Sequence, residues 1–431
     1  MSFIPLLEKE EKSAIEKWQF TKLKELLIYL EGNSSFYKKY FERNKIFIAD
    51  IETLEHFKTI PTTAKEDLQL NNFEFLCVPK NQVAEYMSTS GTLGSPVSIA
   101  LTKNDLKRLA YNEFISFATA GCSSRDVFQL ALTLDRQFMA GIAYYSGIRQ
   151  LGASIIRTGP GFPAMQFESI QRYGTTTLVA VPSFILKLIE FAETNKIDLQ
   201  KLSVKKIVAI GESIRNEDLN LNALGSKIKN SWNVELIGTY ASTEMQTAFT
   251  ECGHGKGGHL HPELIYLEIL DDDGNSVKRG ERGEVTITTL GVEGMPLLRY
   301  RTGDISFLVE ESCTCGRTTQ RIGPVLGRKK QMLKLKGTTV YPAAVVNVLV
   351  KCNSVKDYAI EAISSEFKTD EIVIYVLPEE NQEAAIREVV DAMRSFIKVV
   401  PKVQIVSGEQ LEKLHAKTSQ RKISRFIDSR K

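Results

Sequence analysis

Long apolar runs are what this 431-residue sequence most plainly lacks. None reaches the roughly 18–20 consecutive apolar residues that a membrane-spanning helix needs, which excludes a bundle of such spans. The opening MSFIPLLEKEEKSAIEKW has no continuous apolar core and no small-residue cleavage site, so it does not read as a secretory signal. Cysteine is scarce. Six residues in a chain of this size make no disulfide scaffold, and a reducing cytoplasm is the expected setting. Charge of one sign is also missing: 55 Lys and Arg face 52 Asp and Glu, a formal charge of +3, which leaves no large footprint for nucleic acid. Internal repeats and low-complexity segments are absent. What remains is ordinary globular composition, 43% hydrophobic and 25% charged. At roughly 100–200 residues per domain, the length implies two or three domains.

Periodicity divides the chain. Up to about residue 75 the pattern is helical, with Ile15, Trp18, Leu23, Leu26, Leu27 and Leu30 at three- and four-residue spacing. TTAKEDL looks like a helix start, with Thr63 and Glu66 as a capping box. From about 126 to 290, VFQLALTL, ASIIRTG, TTLVAVP, KIVAIG, VELIGTY and EVTITTL read as strands. FESIQRY, SFILKLIEFAETN and NEDLNLNALGSKIK read as helices between some of them, so an α/β region with a largely parallel sheet is expected. Beyond Gly327 the order is β, α, β, β, α, β over QMLKLKG, YPAAVVNVLVKC, YAIEAIS, EIVIYVLP, QEAAIREVVDAMRSFIK and KVQIVSG. That predicts a compact α+β domain at 327–431 after a large domain at 1–326, with the charged GRKKQ at 327–331 as the boundary.

The most distinctive segment is YMSTSGTLGSPVSIALT, residues 86–102. Ser88, Thr89, Ser90, Gly91, Thr92 and Gly94 are small and mostly hydroxylated. Such a loop can turn N–H groups and hydroxyls onto phosphate oxygens, or it can be a surface turn between two strands. It lacks the Gly-Lys-Ser/Thr ending of a Walker loop. Downstream stand GTYASTEMQ (238–246), PLLRYRTGD (296–304) and LGRKKQMLKLKG (326–337).

Four such segments in this order resemble the adenylate-forming enzymes, and within them the phenylacetate–CoA ligase family. The resemblance runs from FYKKYF and IPTTAKEDL to RKISRFID near the end. It implies an α/β fold: a large N-terminal domain of several sheets with flanking helices, and a small mobile α+β C-terminal domain. It also implies a two-step reaction, in which a carboxylate and ATP give an acyl-adenylate and pyrophosphate, and a thiol, usually that of coenzyme A, displaces AMP. Residue by residue, Ser88, Thr89, Ser90, Gly91, Thr92 and Gly94 would wrap the β- and γ-phosphates. Tyr240, with Ala241 and Ser242, would lie against the adenine, and Gly211 and Glu212 would join the nucleotide site. Thr243 would reach the α-phosphate, Glu244 would hold Mg²⁺, and Asp304 would bind the ribose hydroxyls with Arg328. Lys330 takes the hinge position and with Gly337 would also join the nucleotide site, and Lys422 aligns with the catalytic lysine, with Lys417 as the other candidate in that tail.

The chemistry explains these residue types. A carboxylic acid with a pKa near ~4 is already ionised at neutral pH, so the first step needs alignment and charge neutralisation, not a general base. A metal-holding acid and a compact ammonium supply that, and rotation about Lys330 would clear the way for the thiol.

Cysteine and histidine cluster in ECGHGKGGHLHPE (251–263) and ESCTCGRTTQRIG (311–323). Cys252, Cys313 and Cys315, with His254, His259 or His261, suit a closed structural Zn²⁺ site, although reduced cysteines beside surface histidines are the plainer alternative. Relatives with a zinc site in this region favour Cys252, His259, Cys313 and Cys315.

Two departures from the family pattern stand out: Ser95 where its phosphate loop carries Lys, and Val346 where a Glu usually follows the proline. Phe138, Tyr144, Tyr145 and Phe184 lie near segments that face the carboxylate in relatives, and would suit an aryl or arylacetic acid if they are not simply core. The acceptor is coenzyme A, with a carrier-protein thiol or an amine as alternatives, and a homodimer is compatible. A non-catalytic nucleotide-binding relative is opposed by the joint presence of Glu244, Asp304, Arg328 and Lys422.

Overall fold

The computed structural model describes residues 3–89, 97–335, 338–364, 370–416 and 425–430. Its largest sheet has eight strands. Ser154–Arg157, Val127–Leu130, Thr177–Ala180, Lys206–Ile210 and Glu235–Ser242 run parallel in that spatial order. Thr247–Glu251, Gly258–His259 and Arg321–Ile322 extend it antiparallel. The parallel strands read as continuous apolar runs because helices cover both faces. Leu178, Ala180, Ile207, Ala209 and Leu236 meet the helices Pro163–Tyr173, Pro182–Thr194 and Ala223–Ser231. Their neighbours Val179, Val208 and Ile237 turn the other way, onto Phe117, Tyr144 and Ile148 of the helices Lys103–Thr119 and Met139–Leu151. The two-residue period of a strand divides the side chains between these cores.

A second sheet, antiparallel throughout, comprises Ile265–Leu270, Gly283–Thr289, Tyr300–Ser306 and Gly327–Arg328. The N-terminal helices Lys12–Asn33 and Ser35–Asn44 share its core through Leu23, Leu27, Leu30, Tyr37 and Phe41. Within the last part of the chain, Lys402–Ile405, Asp370–Pro378, Val355–Ser364 and Phe426–Asp428 form a four-stranded sheet over a separate core. No helix among the described residues is long and apolar enough to cross a membrane.

Several expectations needed adjustment. The helix after Pro61 is Lys65–Asn71, capped at Ala64, whose N–H donates to Asp67 Oδ2 at 2.8 Å. Thr63 is buried and spends its hydroxyl on the Leu298 carbonyl at 2.8 Å, so it is no cap. In NEDLNLNALGSKIK only Ala223–Ser231 is helical, because Asn222 caps there by accepting from Gly225 N at 2.9 Å. QMLKLKG contributes Leu333–Leu335 to a hairpin with Thr338–Val340, and the fourth strand of the small sheet comes instead from RFID near the tail.

One contact ties the N-terminal segment to the second sheet. Arg299 and Glu268, each 3% exposed, form a two-pronged ion pair at 3.0 and 2.8 Å. The remaining Nη1 donates to the carbonyls of Lys58 and Ile60. Thr63 then sits between Arg299 and Arg301, donating N–H to the Arg299 carbonyl at 3.1 Å and accepting from Arg301 N at 2.8 Å. Arg299→Met should cost about 3–5 kcal/mol in chemical denaturation, because Glu268 is left buried and unpaired, and Arg299→Met/Glu268→Leu should recover part of that loss.

Candidate active site

The C-terminal ends of the parallel strands meet the second sheet at Tyr240 and Asp304. Tyr240 stacks on its cross-strand partner Phe249, with ring centroids 5.8 Å apart. Its hydroxyl donates to Asp304 Oδ2 at 2.8 Å. Asp304 faces Arg328 across the ladder, and Arg328 Nε lies 3.3 Å from Oδ1. Burial pushes the Asp304 carboxyl above its ordinary value, against the pull of Arg328 and of the Tyr240 hydroxyl. Gly303, with φ +79° and open space around an added Cβ, supplies the left-handed turn into Asp304.

Beyond Tyr240, Ala241 and Ser242 end the strand, and the chain turns through Thr243 and Glu244 into Thr247–Glu251. Met245 is fully buried and anchors the turn, leaving Thr243 and Glu244 half-buried at its crest. Lys65 Nζ stands 3.8 Å from Glu244 Oε1. Glu66 pairs with Lys330. Burial raises the Tyr300 hydroxyl far above its usual range, and the carboxylates of Glu244, Glu66 and Asp304 add to the effect. Three acids, two lysines and Arg328 thus gather around one tyrosine.

Gly211 leaves its strand at φ +73°, and Glu212 accepts from Ser183 N at 2.9 Å and Ser183 Oγ at 3.0 Å. Ser88 ends the strand Val83–Ser88, its N–H donating to the Gln137 carbonyl at 3.0 Å. Thr89 closes the base of the glycine-rich loop: its N–H donates to the Val97 carbonyl at 2.9 Å, and its hydroxyl accepts from Val97 N at 3.0 Å. Ser90, Gly91, Thr92, Gly94, Ser95, Gly337, Lys417 and Lys422 lie outside the described residues. Of the aromatic candidates, Phe138, Tyr144 and Tyr145 share one apolar cluster. Phe184 belongs to the cluster on the opposite face of the sheet. Tyr144 is 3% exposed and packs on Phe117, a core position.

Cys252, His259, Cys313 and Cys315 converge, with one ligand atom from each inside 4.8 Å of the others. Cys252 and Cys313 sulfurs are 3.6 Å apart, and Cys315 Sγ lies 3.5 Å from His259 Nε2. A tetrahedral Zn²⁺ with Zn–S bonds of about 2.3 Å sets its sulfurs about 3.8 Å apart, so the donor set and spacing fit such an ion. Burial pushes His259 down to about 3, which keeps the imidazole in its neutral, ligating form. His261 is committed elsewhere, with Nδ1 at 2.6 Å from Glu8 Oε1, and His254 pairs with the Thr314 hydroxyl at 3.3 Å.

A family model described as AMP-binding enzyme matches residues 36–294. The phenylacetate-coenzyme A ligase of Thermus thermophilus is 31% identical over 404 residues, spanning 91% of this chain and 89% of that protein. The chain belongs to the phenylacetate–CoA ligase family of adenylate-forming enzymes. The phenylacetate-coenzyme A ligase of Aromatoleum evansii is 25% identical, over 97% of this chain and 96% of its own length. Among solved structures, 2-hydroxyisobutyryl-CoA ligase in the postadenylation state superposes with a TM-score of 0.86 at 20% identity, over 99% of this chain and 94% of that one. The same ligase in the thioesterification state gives 0.70 at 21% identity, over 100% of this chain and 94% of that one. Both likenesses show the family fold.

Lys65, Glu66 and Tyr300 stand beside the expected site residues, and the sequence did not assign them there. Lys65 and Glu66 sit in TTAKEDL, where three consecutive charges at a helix start were the available signal. Tyr240→Phe removes a donor from a buried carboxylate and should cost about 1.5–3 kcal/mol in thermal unfolding. Because that donor lowers the Asp304 pKa, its loss should move protonation of the Asp304 carboxyl to higher pH, read as carboxyl infrared absorption against pH.

Proposed function

We propose that this family member activates an aromatic carboxylic acid of aryl or arylacetic type with ATP and passes the acyl group to coenzyme A. The observation that carries the reading is the Tyr240–Asp304–Arg328 corner meeting the Thr243–Glu244 turn. A flat ring against the Tyr240 edge and two ribose hydroxyls on Asp304 would leave the α-phosphate at Thr243. The acid's carboxylate oxygen attacks the α-phosphorus, the bond to the bridging oxygen breaks, and pyrophosphate leaves. In the second half-reaction the coenzyme A sulfur attacks the acyl carbon, its proton is lost to solvent, and AMP departs.

Glu244 would hold Mg²⁺, which fits a hard carboxylate oxygen, and the metal would neutralise phosphate charge. Lys65, 3.8 Å away, brings a cation to the same corner. Lys422 would steady the pentavalent phosphorus in the first step. Residues 1–326 and 327–431 are assigned to the large and small domains, with Lys330 as hinge; the separate core running from Leu333 to Phe426 supports that division, although Gly327–Arg328 pairs with the second sheet and so falls on the large side of the boundary. Cys252, His259, Cys313 and Cys315 would hold a structural Zn²⁺, with no open coordination position among these four.

Pyrophosphate release should be fastest with phenylacetate and related aryl acids, and AMP release should require coenzyme A; no turnover with any acid of such a panel overturns the reading. Lys422→Ala should cut adenylate formation by orders of magnitude and leave thiolysis of supplied acyl-adenylate intact. Metal analysis of protein purified without added zinc should find about one equivalent per chain, and a metal-free, folded protein would sink the zinc assignment.

A further inference from the structure

The turn that carries Thr243 and Glu244 is gripped from behind by a partly buried arginine. Arg108 lies in the helix Lys103–Thr119. Its Nη1 donates to the Gln246 carbonyl at 2.8 Å, and its Nη2 donates to Thr247 Oγ1 at 3.2 Å and the Leu264 carbonyl at 2.5 Å. Nε donates to the Leu290 carbonyl at 2.7 Å. One helical turn on, Asn112 Oδ1 accepts from Ala248 N at 3.2 Å. These four acceptors are all neutral, so the group acts as a rigid fork joining three loops and not as half of an ion pair.

Gln246 explains why a fork is needed there. It sits at φ +51°, a left-handed conformation that a non-glycine residue seldom adopts, and its buried Nε2 has no hydrogen-bond partner. Such a residue persists only where its surroundings over-determine it. The Arg108 bond to its carbonyl, with the adjacent bond to Thr247, does so, and it fixes the direction in which the chain two residues earlier presents Glu244.

We propose that Arg108 is a positioning residue for the Glu244 carboxylate, setting where the divalent cation of the first half-reaction is held. The inference rests on the reading of Glu244 as the cation-binding acid. It goes beyond that reading by assigning the geometry of the acid to a residue that touches neither nucleotide nor metal.

The test is a MgCl₂ titration of the full chain with two readouts, pyrophosphate release with ATP and the best acid of the panel, and the unfolding midpoint of the protein with ATP and no acid, which needs no turnover and should show the same shift. Arg108→Lys keeps the charge but loses the fork. The Mg²⁺ concentration for half-maximal rate should rise about tenfold, with the rate at saturating Mg²⁺ and the thiolysis of supplied acyl-adenylate nearly unchanged. Gln246→Gly, which removes the left-handed strain, should recover part of that shift in the Arg108→Lys background. Thr247→Val, a smaller lesion that deletes one acceptor, should shift the Mg²⁺ requirement about threefold and covers the case in which Arg108→Lys does not fold. Glu244→Gln run alongside separates the two ideas. If it leaves the Mg²⁺ requirement unmoved, the reading of Glu244 fails. If it moves it while folded Arg108→Lys or Thr247→Val does not, or if those variants lose both half-reactions equally, the role of Arg108 is overturned.

Discussion

A guanidinium buried between two parts of the chain sets the geometry on which the site depends. Arg299 binds Glu268 on the neighbouring part of the second sheet and the carbonyls at the end of the N-terminal helical region. A charge so deeply desolvated is tolerable only when fully partnered, so this contact admits few alternatives. It locks Thr63 beside Arg299 and Arg301, and Lys65 and Glu66 follow within one helical turn. Segments more than two hundred residues apart thereby place their charges around Tyr300, and the Asp304 corner lies at the far end of the same strand.

The hairpin of the large sheet carries the rest. One strand holds Tyr240, the turn holds Thr243 and Glu244, and the return strand runs through Glu251 to Cys252. Glu251 accepts from Gly238 N at 2.9 Å and pairs with Arg215 at 2.5 Å, so the base of the hairpin is braced at the same point where the cysteine–histidine cluster begins. The cluster is braced in turn. Glu8, fully buried, holds His261 and Arg317, and Arg317 Nη1 reaches Cys315 Sγ at 3.8 Å. The Thr243–Glu244 turn and the cysteine–histidine cluster therefore lie at opposite ends of one short strand.

Electrostatics at the mouth suit phosphoryl chemistry without a base. Glu244, Glu66 and Asp304 are each matched by Lys65, Lys330 or Arg328. The Glu66–Lys330 pair joins the N-terminal region to Lys330, and a pair of this exposure contributes little energy on its own. It can part without a large cost, as the proposed hinge at Lys330 requires.

Much of this was legible in the residues alone. The apolar runs from Val127 to Thr289 announced their strands because burial on both faces demands continuous β-branched and aliphatic residues. The motifs around Tyr240, Asp304 and Arg328 carried the resemblance to an AMP-binding family, and cysteine and histidine were already concentrated in the two short segments from which the fold gathers Cys252, His259, Cys313 and Cys315. Other features were not written locally. Thr63 as a bridging residue rather than a cap, Lys65 and Glu66 as neighbours of Glu244, RFID as the fourth strand of the small sheet, and the grip of Arg108 on Gln246 each depend on a partner distant in the chain. Local pattern determines which segments are helix, strand or ligand loop; only the packed fold decides which charges meet, since a buried arginine or acid is identified by the atoms that close around it and not by its neighbours in sequence.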